Sequence, residues 1–153
     1  MLGSPLMVGL LVPDNSDIKD IKDIKGKRIP VDYGAFYSAT LTVRALLANA
    51  GLTDKDVKGL TVTTYVAGVR TLIEGRSDLA MGSVGSGIIK ELKTAKGAHY
   101  LNVGTSPEAV AGMQKVHPGY YPIKARPGLA GLAKETMVMG CLLYTSPSPR
   151  DRS

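Results

Sequence analysis

Apolar residues along this chain follow two rhythms: short continuous runs, and longer stretches with one apolar face. Residues 6–12, Leu6-Met7-Val8-Gly9-Leu10-Leu11-Val12, carry no polar side chain and stop at Pro13-Asp14-Asn15. Such a run predicts a strand buried on both faces. The triplet Asp-Ile-Lys then occurs three times over 17–25, so Ile18, Ile21 and Ile24 recur at every third residue. A turn or two of helix lays them on one side. Gly26-Lys27 ends that turn, and 28–32 predicts a second strand, which Pro30 confines to an edge or a strand end. After a loop at 33–37, Val43, Leu46, Leu47 and Ala50 fall at i, i+3, i+4 and i+7, with Gly51 as the stop. That is one face of a helix with a glycine terminator.

The alternation continues. Thr53 with Asp56 resembles a short capping arrangement. Residues 60–65, rich in Thr and Val, predict a strand, and 66–74 a helix with Val66, Val69, Leu72 and Ile73 inward, closed by Gly75. A short strand at 78–81 leads into Gly82-Ser83-Val84-Gly85-Ser86-Gly87. The next helix turns Ile88, Ile89, Leu92 and Ala95 inward and ends at Gly97. A strand at 98–103 and a helix at 107–116 follow, with Pro107 well placed near the helix start. Residues 117–131, rich in Pro and Gly, predict an irregular loop, and 135–139 a returning strand. Strand and helix in alternation predict the α/β class, with a mainly parallel sheet and helices on both faces.

Composition narrows the picture without naming a function. A length of 153 residues suits one globular unit with a real core. The net charge is +6, but acids interleave with bases, as in Asp20-Ile21-Lys22-Asp23 and Lys55-Asp56. Mixed charge of this kind is a solvated face, and an aromatic content of 5% without Trp supplies no stacking platform. No nucleic-acid partner is expected. No run of about 18 apolar residues exists, so no direct membrane insertion is expected either. The single Cys excludes a disulfide framework and a thiolate metal cluster. The N-terminus has no basic region followed by a cleavage site, so no signal peptide is visible.

The C-terminus breaks the pattern. Cys141-Leu142-Leu143-Tyr144-Thr145-Ser146-Pro147-Ser148-Pro149-Arg150-Asp151 resembles the in-frame translation of a sequencing-library adapter, a scar of metagenome-derived sequences. Residues 141–153 are therefore set aside from the fold as a disordered artefact, and 1–140 is read as the interior of a longer protein.

Catalytic chemistry is sparse. His99 sits in a strand, His117 precedes Pro118, and neither has metal-ligand spacing to acids. Ser16-Asp17-Ile18-Lys19 matches a four-residue pattern that is common by chance, and Gly85-Ser86-Gly87 lacks the spacing of a nucleophile elbow. No phosphate-binding loop and no complete dinucleotide fingerprint occur. The expectation is a protein that is not an enzyme, with no catalytic residue, metal or cofactor. Two Gly/Ser-rich strand-to-helix loops remain, 33–40 and 82–87. In a parallel α/β sheet such loops lie at the carboxyl ends of strands, where ligands bind. Helix N-termini add free N–H groups and positive dipole ends. The hydroxyls of Ser38, Thr40, Ser83 and Ser86 either donate to an anion or act as simple helix caps. The candidate ligand-binding set is Tyr33, Tyr37, Ser38, Thr40, Ser83, Gly85 and Ser86, around one shared concavity.

The stretch 18–131 resembles the TAXI branch of TRAP transporter receptors, which have the type II periplasmic-binding-protein fold. The resemblance rests on Ile24-Lys25-Gly26-Lys27-Arg28-Ile29, Leu46-Leu47-Ala48-Asn49-Ala50-Gly51-Leu52 and Leu72-Ile73-Glu74-Gly75-Arg76-Ser77-Asp78-Leu79-Ala80. It continues in His99-Tyr100-Leu101-Asn102-Val103, His117-Pro118-Gly119-Tyr120-Tyr121 and Pro127-Gly128-Leu129-Ala130-Gly131. It implies two α/β lobes clamping a ligand, with this chain as the second lobe, entered through 6–12 and left near 137–139. The first lobe and a signal peptide would then lie before Met1. It further implies a periplasmic or other extracytoplasmic location, capture of a small organic anion or amino acid, and delivery to TRAP membrane subunits. The family's Gly-Ser-Gly-Thr-Glu loop falls on Tyr37-Ser38-Ala39-Thr40, which has neither the glycines nor the acid. Tyr33, Phe36 and Tyr37 make that loop bulkier and fit a ligand with an apolar body. Two other classes share the scaffold. One is the effector-binding domain of a LysR-like transcription regulator, marked by a helix-turn-helix upstream of Met1; the other is an enzyme.

Overall fold

The computed structural model describes residues 6–126 and 134–141. The apolar run forms β1 (Leu6–Pro13). Its side chains alternate: Val8, Leu10 and Val12 enter one apolar cluster and Leu11 a second, so the strand is covered on both faces. The Asp-Ile-Lys repeat forms a 3₁₀ turn at Ile21–Ile24, whose three residues per turn bring i and i+3 onto one side. Ile18, Ile21 and Ile24 are accordingly all buried. There follow β2 (Arg28–Asp32), α1 (Tyr37–Asn49), a capped turn at Asp54–Asp56, β3 (Lys58–Thr61), α2 (Tyr65–Ile73) and β4 (Ala80–Ser83). Then come α3 (Gly87–Lys96), β5 (Ala98–Tyr100), α4 (Pro107–Val116), β6 (Tyr120–Ala125) and β7 (Thr136–Cys141). Gly51 and Gly75, each at φ +79°, stop α1 and α2 in a conformation that L side chains avoid.

The α/β class and the helices on both faces hold, but the sheet is not mainly parallel. β1 pairs antiparallel with β4 along one edge, and with β7 and β5 in tandem along the other. β7 also pairs antiparallel with β6, and only β2 and β3 pair in parallel. β4 and β5 do run the same way, as the α3 crossover requires, but β1 lies between them and opposes both. Strand–helix alternation predicts relative direction, not which strand is inserted between the partners.

Four smaller expectations shift. Residues 120–125, expected to be loop, form β6; it pairs with β7 alone among the described strands, an edge position that tolerates Pro122. Val66 (42% exposed) and Ala95 lie in the first and last turns of their helices, beyond the cluster that covers Val69, Leu72 and Leu92. Cys141 is the last residue of β7, paired with Leu6 and Tyr120, so pairing continues one residue into the segment read as adapter. Residues 142–153 lie outside the described residues, as do 127–133. Among the described residues no helix is long and apolar enough to cross a membrane.

Two cores fill the layers. One packs α1 and the 3₁₀ turn against β1 and Met113 of α4; the other packs α2 and α3 against Leu11, Tyr100 and Val138. α4 meets α1 so closely that a Cβ on Gly112 would lie 2.6 Å from the Ala48 carbonyl oxygen. Arg28 and Asp78 tie the start of β2 to the approach of β4. The Arg28 side chain donates to both carboxylate oxygens (3.2 and 3.0 Å), its N–H adds a third bond (2.8 Å), and Asp78 N–H returns one to Arg28 O (2.9 Å).

The Arg28 hydrogen bonds hold the Asp78 carboxyl below its usual pKa. A carboxyl depressed in the folded state stabilises above its unfolded value, about 4, and this is lost as pH falls through the folded value. Urea midpoints followed from pH 6 downward should therefore separate the wild type from Asp78→Asn at neutral pH and converge below about pH 4. A gap that stays constant to pH 2 would contradict this.

Candidate functional site

The predicted site residues lie where β2 passes into α1 and where β4 passes into α3, and local packing sorts them. Tyr33 turns inward and is fully buried against α2, where a Cβ on Gly68 would lie 2.9 Å from the Tyr33 hydroxyl. That hydroxyl has no hydrogen-bond partner among the described residues, and burial pushes its pKa far above the ordinary value. Tyr33 N–H donates to Thr40 Oγ1 at 3.0 Å, a buried bond that folds the loop back onto the first turn of α1. Tyr33 and Thr40 thus build the loop from beneath. The ring of Phe36, the residue capping α1, is left 53% exposed, and that of Tyr37 57%.

Tyr65 organises the second loop. Its hydroxyl accepts from Ser83 N–H at 2.8 Å and bonds Ser86 Oγ at 2.8 Å, while Ser86 Oγ donates to Ser83 O at 3.2 Å. With one proton on each hydroxyl, the only consistent direction is a closed ring: Ser83 N–H to Tyr65, Tyr65 to Ser86, Ser86 to Ser83 O. Ser86 stands at the cap position of α3 but makes no side-chain cap bond, because its hydroxyl is spent in the ring. Gly85, at φ +94°, allows the tight turn. Tyr65→Phe should leave the fold intact, cost about 1 kcal/mol, and raise amide exchange at Ser83. Unchanged Ser83 exchange would show that the ring does not hold this loop.

Beyond the ends of β2 and β4 lies a cleft of about 280 Å³. The first turns of α1 supply Phe36, Ser38, Ala39 and Thr42, α2 supplies Tyr65, and β4 supplies Met81 and Ser83. Val8, Tyr120, Met139 and Cys141 form the rest of its wall. Of the predicted set, Ser38 and Ser83 meet in this cleft. Ser86 touches Tyr65 at its margin, Tyr33 and Thr40 are buried, and Tyr37 and Gly85 are exposed outside the lining. Thr42 Oγ1 donates to Ser38 O (2.8 Å), so the Tyr120 hydroxyl donates to Thr42 (3.2 Å). Burial raises the pKa of both the Tyr120 phenol and the Cys141 thiol. Among the described residues no lining side chain carries a charge at neutral pH, and helix N-termini, with their free N–H groups, favour negative charge. A larger concavity of about 480 Å³ sits at the opposite end of β2 and holds the Arg28–Asp78 pair.

Sequence reasoning missed Tyr65, Thr42, Tyr120 and the two methionines. A usable signal existed for Tyr65: Thr64 is a helix cap whose hydroxyl accepts from Ala67 N–H at 3.0 Å, which ends the strand reading at that point. Tyr120 and Met139 come from the hairpin that read partly as loop.

Known structures give the wider context. The E. coli periplasmic aliphatic sulphonate-binding protein SsuA superposes with a TM-score of 0.53 at 18% identity, over 90% of this chain and 35% of that one. A periplasmic sulfonate-binding protein SsuA of Methylobacillus flagellatus KT gives 0.50 at 26% identity, over 92% and 34%. The alkanesulfonate-binding protein SsuA of Xanthomonas axonopodis pv. citri, bound to MOPS, gives 0.50 at 21%, over 90% and 40%. The chain thus has the fold of a type II periplasmic-binding-protein lobe and spans little more than a third of the length of these proteins. Comparison with curated proteins gives no match. The model of the NMT1-like family matches residues 4–146, reaching into the segment read as adapter; over nearly its whole length, the chain belongs to the NMT1-like family.

Proposed function

We propose that residues 1–140 are the second lobe of an extracytoplasmic solute-binding receptor that captures a small organic anion or amino acid. The carrying observation is the cleft itself. The first turns of α1 and the start of α2 line it, the cap of α3 is tied to its rim through Tyr65, and Ser38 and Ser83 both contribute to its lining. Helix N-termini are favourable places for an anion, and the hydroxyls add directional donors. Ser38 and Ser83 are the ligand contacts; Tyr33, Thr40, Gly85 and Ser86 shape their loops, and Tyr37 stands at the outer rim.

The sequence resemblance described above supports TRAP membrane subunits as the partner, whereas the M. flagellatus structure is described as part of a sulfonate ABC transporter. Reconstitution separates the two. Ligand uptake with TRAP subunits supports the assignment, and uptake only with ABC subunits replaces it. The receptor reading is tested by thermal-shift screening of the two-lobed protein against amino acids, sulfonates and organic acids. A ligand that raises the melting temperature, with the rise lost in Ser38→Ala/Ser83→Ala, supports it. A helix-turn-helix encoded upstream would overturn it in favour of a regulator.

A further inference from the structure

We infer that this lobe takes the apolar body of a monoanionic acid, aromatic or branched aliphatic, and so selects against compact diacids and polar amino acids. The inference rests on the cleft being the receptor's ligand site.

Three observations carry it. Its wall is built from Val8, Phe36, Met81 and Met139, with no charged side chain among the described lining residues. A second carboxylate, or the ammonium of an amino acid, would lose water on this wall without gaining a partner, which is costly. An aromatic or branched body loses no hydrogen bond there and covers the half-exposed ring of Phe36.

The polar groups are mostly spent. Ser83 N–H and the Ser86 hydroxyl belong to the Tyr65 ring, Thr40 serves Tyr33 N–H, and Thr42 serves Ser38 O. The Tyr65 oxygen thereby occupies a backbone donor that a ligand oxygen would otherwise take. The hydroxyls of Ser38 and Ser83 remain as the unspent side-chain donors, enough for one acid group.

Size agrees. A cavity of about 150 Å³ holds benzene. The cleft, at about 280 Å³, has room for a ring with a short acid-bearing chain.

The test is an amide and methionine-methyl NMR titration of the whole chain with phenylacetate, succinate and benzyl alcohol. Phenylacetate should shift the Ser38 and Ser83 amides and the Met81 and Met139 methyls, with a Kd at least about fivefold below that of succinate. Phe36→Ala, an exposed position, should weaken phenylacetate by a larger factor than succinate. Succinate binding as tightly as phenylacetate at the same amides overturns the apolar-body assignment while leaving the receptor reading in place. Benzyl alcohol binding more tightly than phenylacetate overturns the anionic part. Binding of a member of the amino-acid and organic-acid panel with none of the three probes binding also overturns the ligand class. No shift at these amides from any probe or panel member overturns the receptor reading itself.

Discussion

Replacing Asn49 by alanine is expected to destabilise the fold by about 3 kcal/mol, a large share of the 5–15 kcal/mol typical of a domain. Asn49 is buried near the end of α1. Its Oδ1 accepts from Gly104 N–H at 2.6 Å, and its Nδ2 donates to Gly104 O at 2.9 Å and Ala109 O at 3.4 Å. One amide side chain thus satisfies both main-chain groups of Gly104, in the stretch between β5 and α4. No side chain fits at Gly104 instead: a Cβ there would lie 2.9 Å from the Ala109 methyl and 3.3 Å from Asn49 Oδ1. Truncation leaves a donor and an acceptor without partners in a closely packed seam, and each orphan costs about 1–3 kcal/mol. Asn49→Asp keeps the acceptor, loses both donor bonds and places a charge in the seam, so it should be no better than alanine. Urea unfolding by circular dichroism measures both. A loss below about 1 kcal/mol for Asn49→Ala would mean that water replaces the amide and that α4 is held by apolar contact alone.

Much of this architecture was legible because the signals were local. The three Ile of the Asp-Ile-Lys repeat, the glycine stops at Gly51 and Gly75, and the proline-led helix at Pro107–Val116 depend on neighbours within a turn. What failed was non-local. The insertion of β1 between β4 and β5 joins residues some 70–90 positions apart, and an apolar run carries no mark of strand direction. Tyr33 read as a pocket aromatic because it follows a strand in a glycine-containing loop; Gly68, 35 residues later, leaves the space that buries it. Ser38 and Ser83 read as loop hydroxyls, and both line the cleft. Tyr65, which fixes the geometry of one of those loops, read as the end of a strand.

The second large effect concerns ligand affinity. A receptor that closes two lobes on its ligand removes water from the contacts and strengthens each of them. This cleft is open on one side and has helix-end and hydroxyl contacts without a charged partner. Such contacts contribute about 0.3–1 kcal/mol each. Three or four of them fall well short of the roughly 8 kcal/mol that micromolar binding requires.

Calorimetry of one ligand against this chain and against the two-lobed receptor is the most direct measurement of the account. The chain alone should bind no more tightly than about millimolar, and the two-lobed protein at least about a hundredfold more tightly. The gain should be reduced in Ser38→Ala/Ser83→Ala. Micromolar binding by the chain alone, or equal affinity with and without the first lobe, would contradict the assignment of this cleft as one half of a closing receptor site.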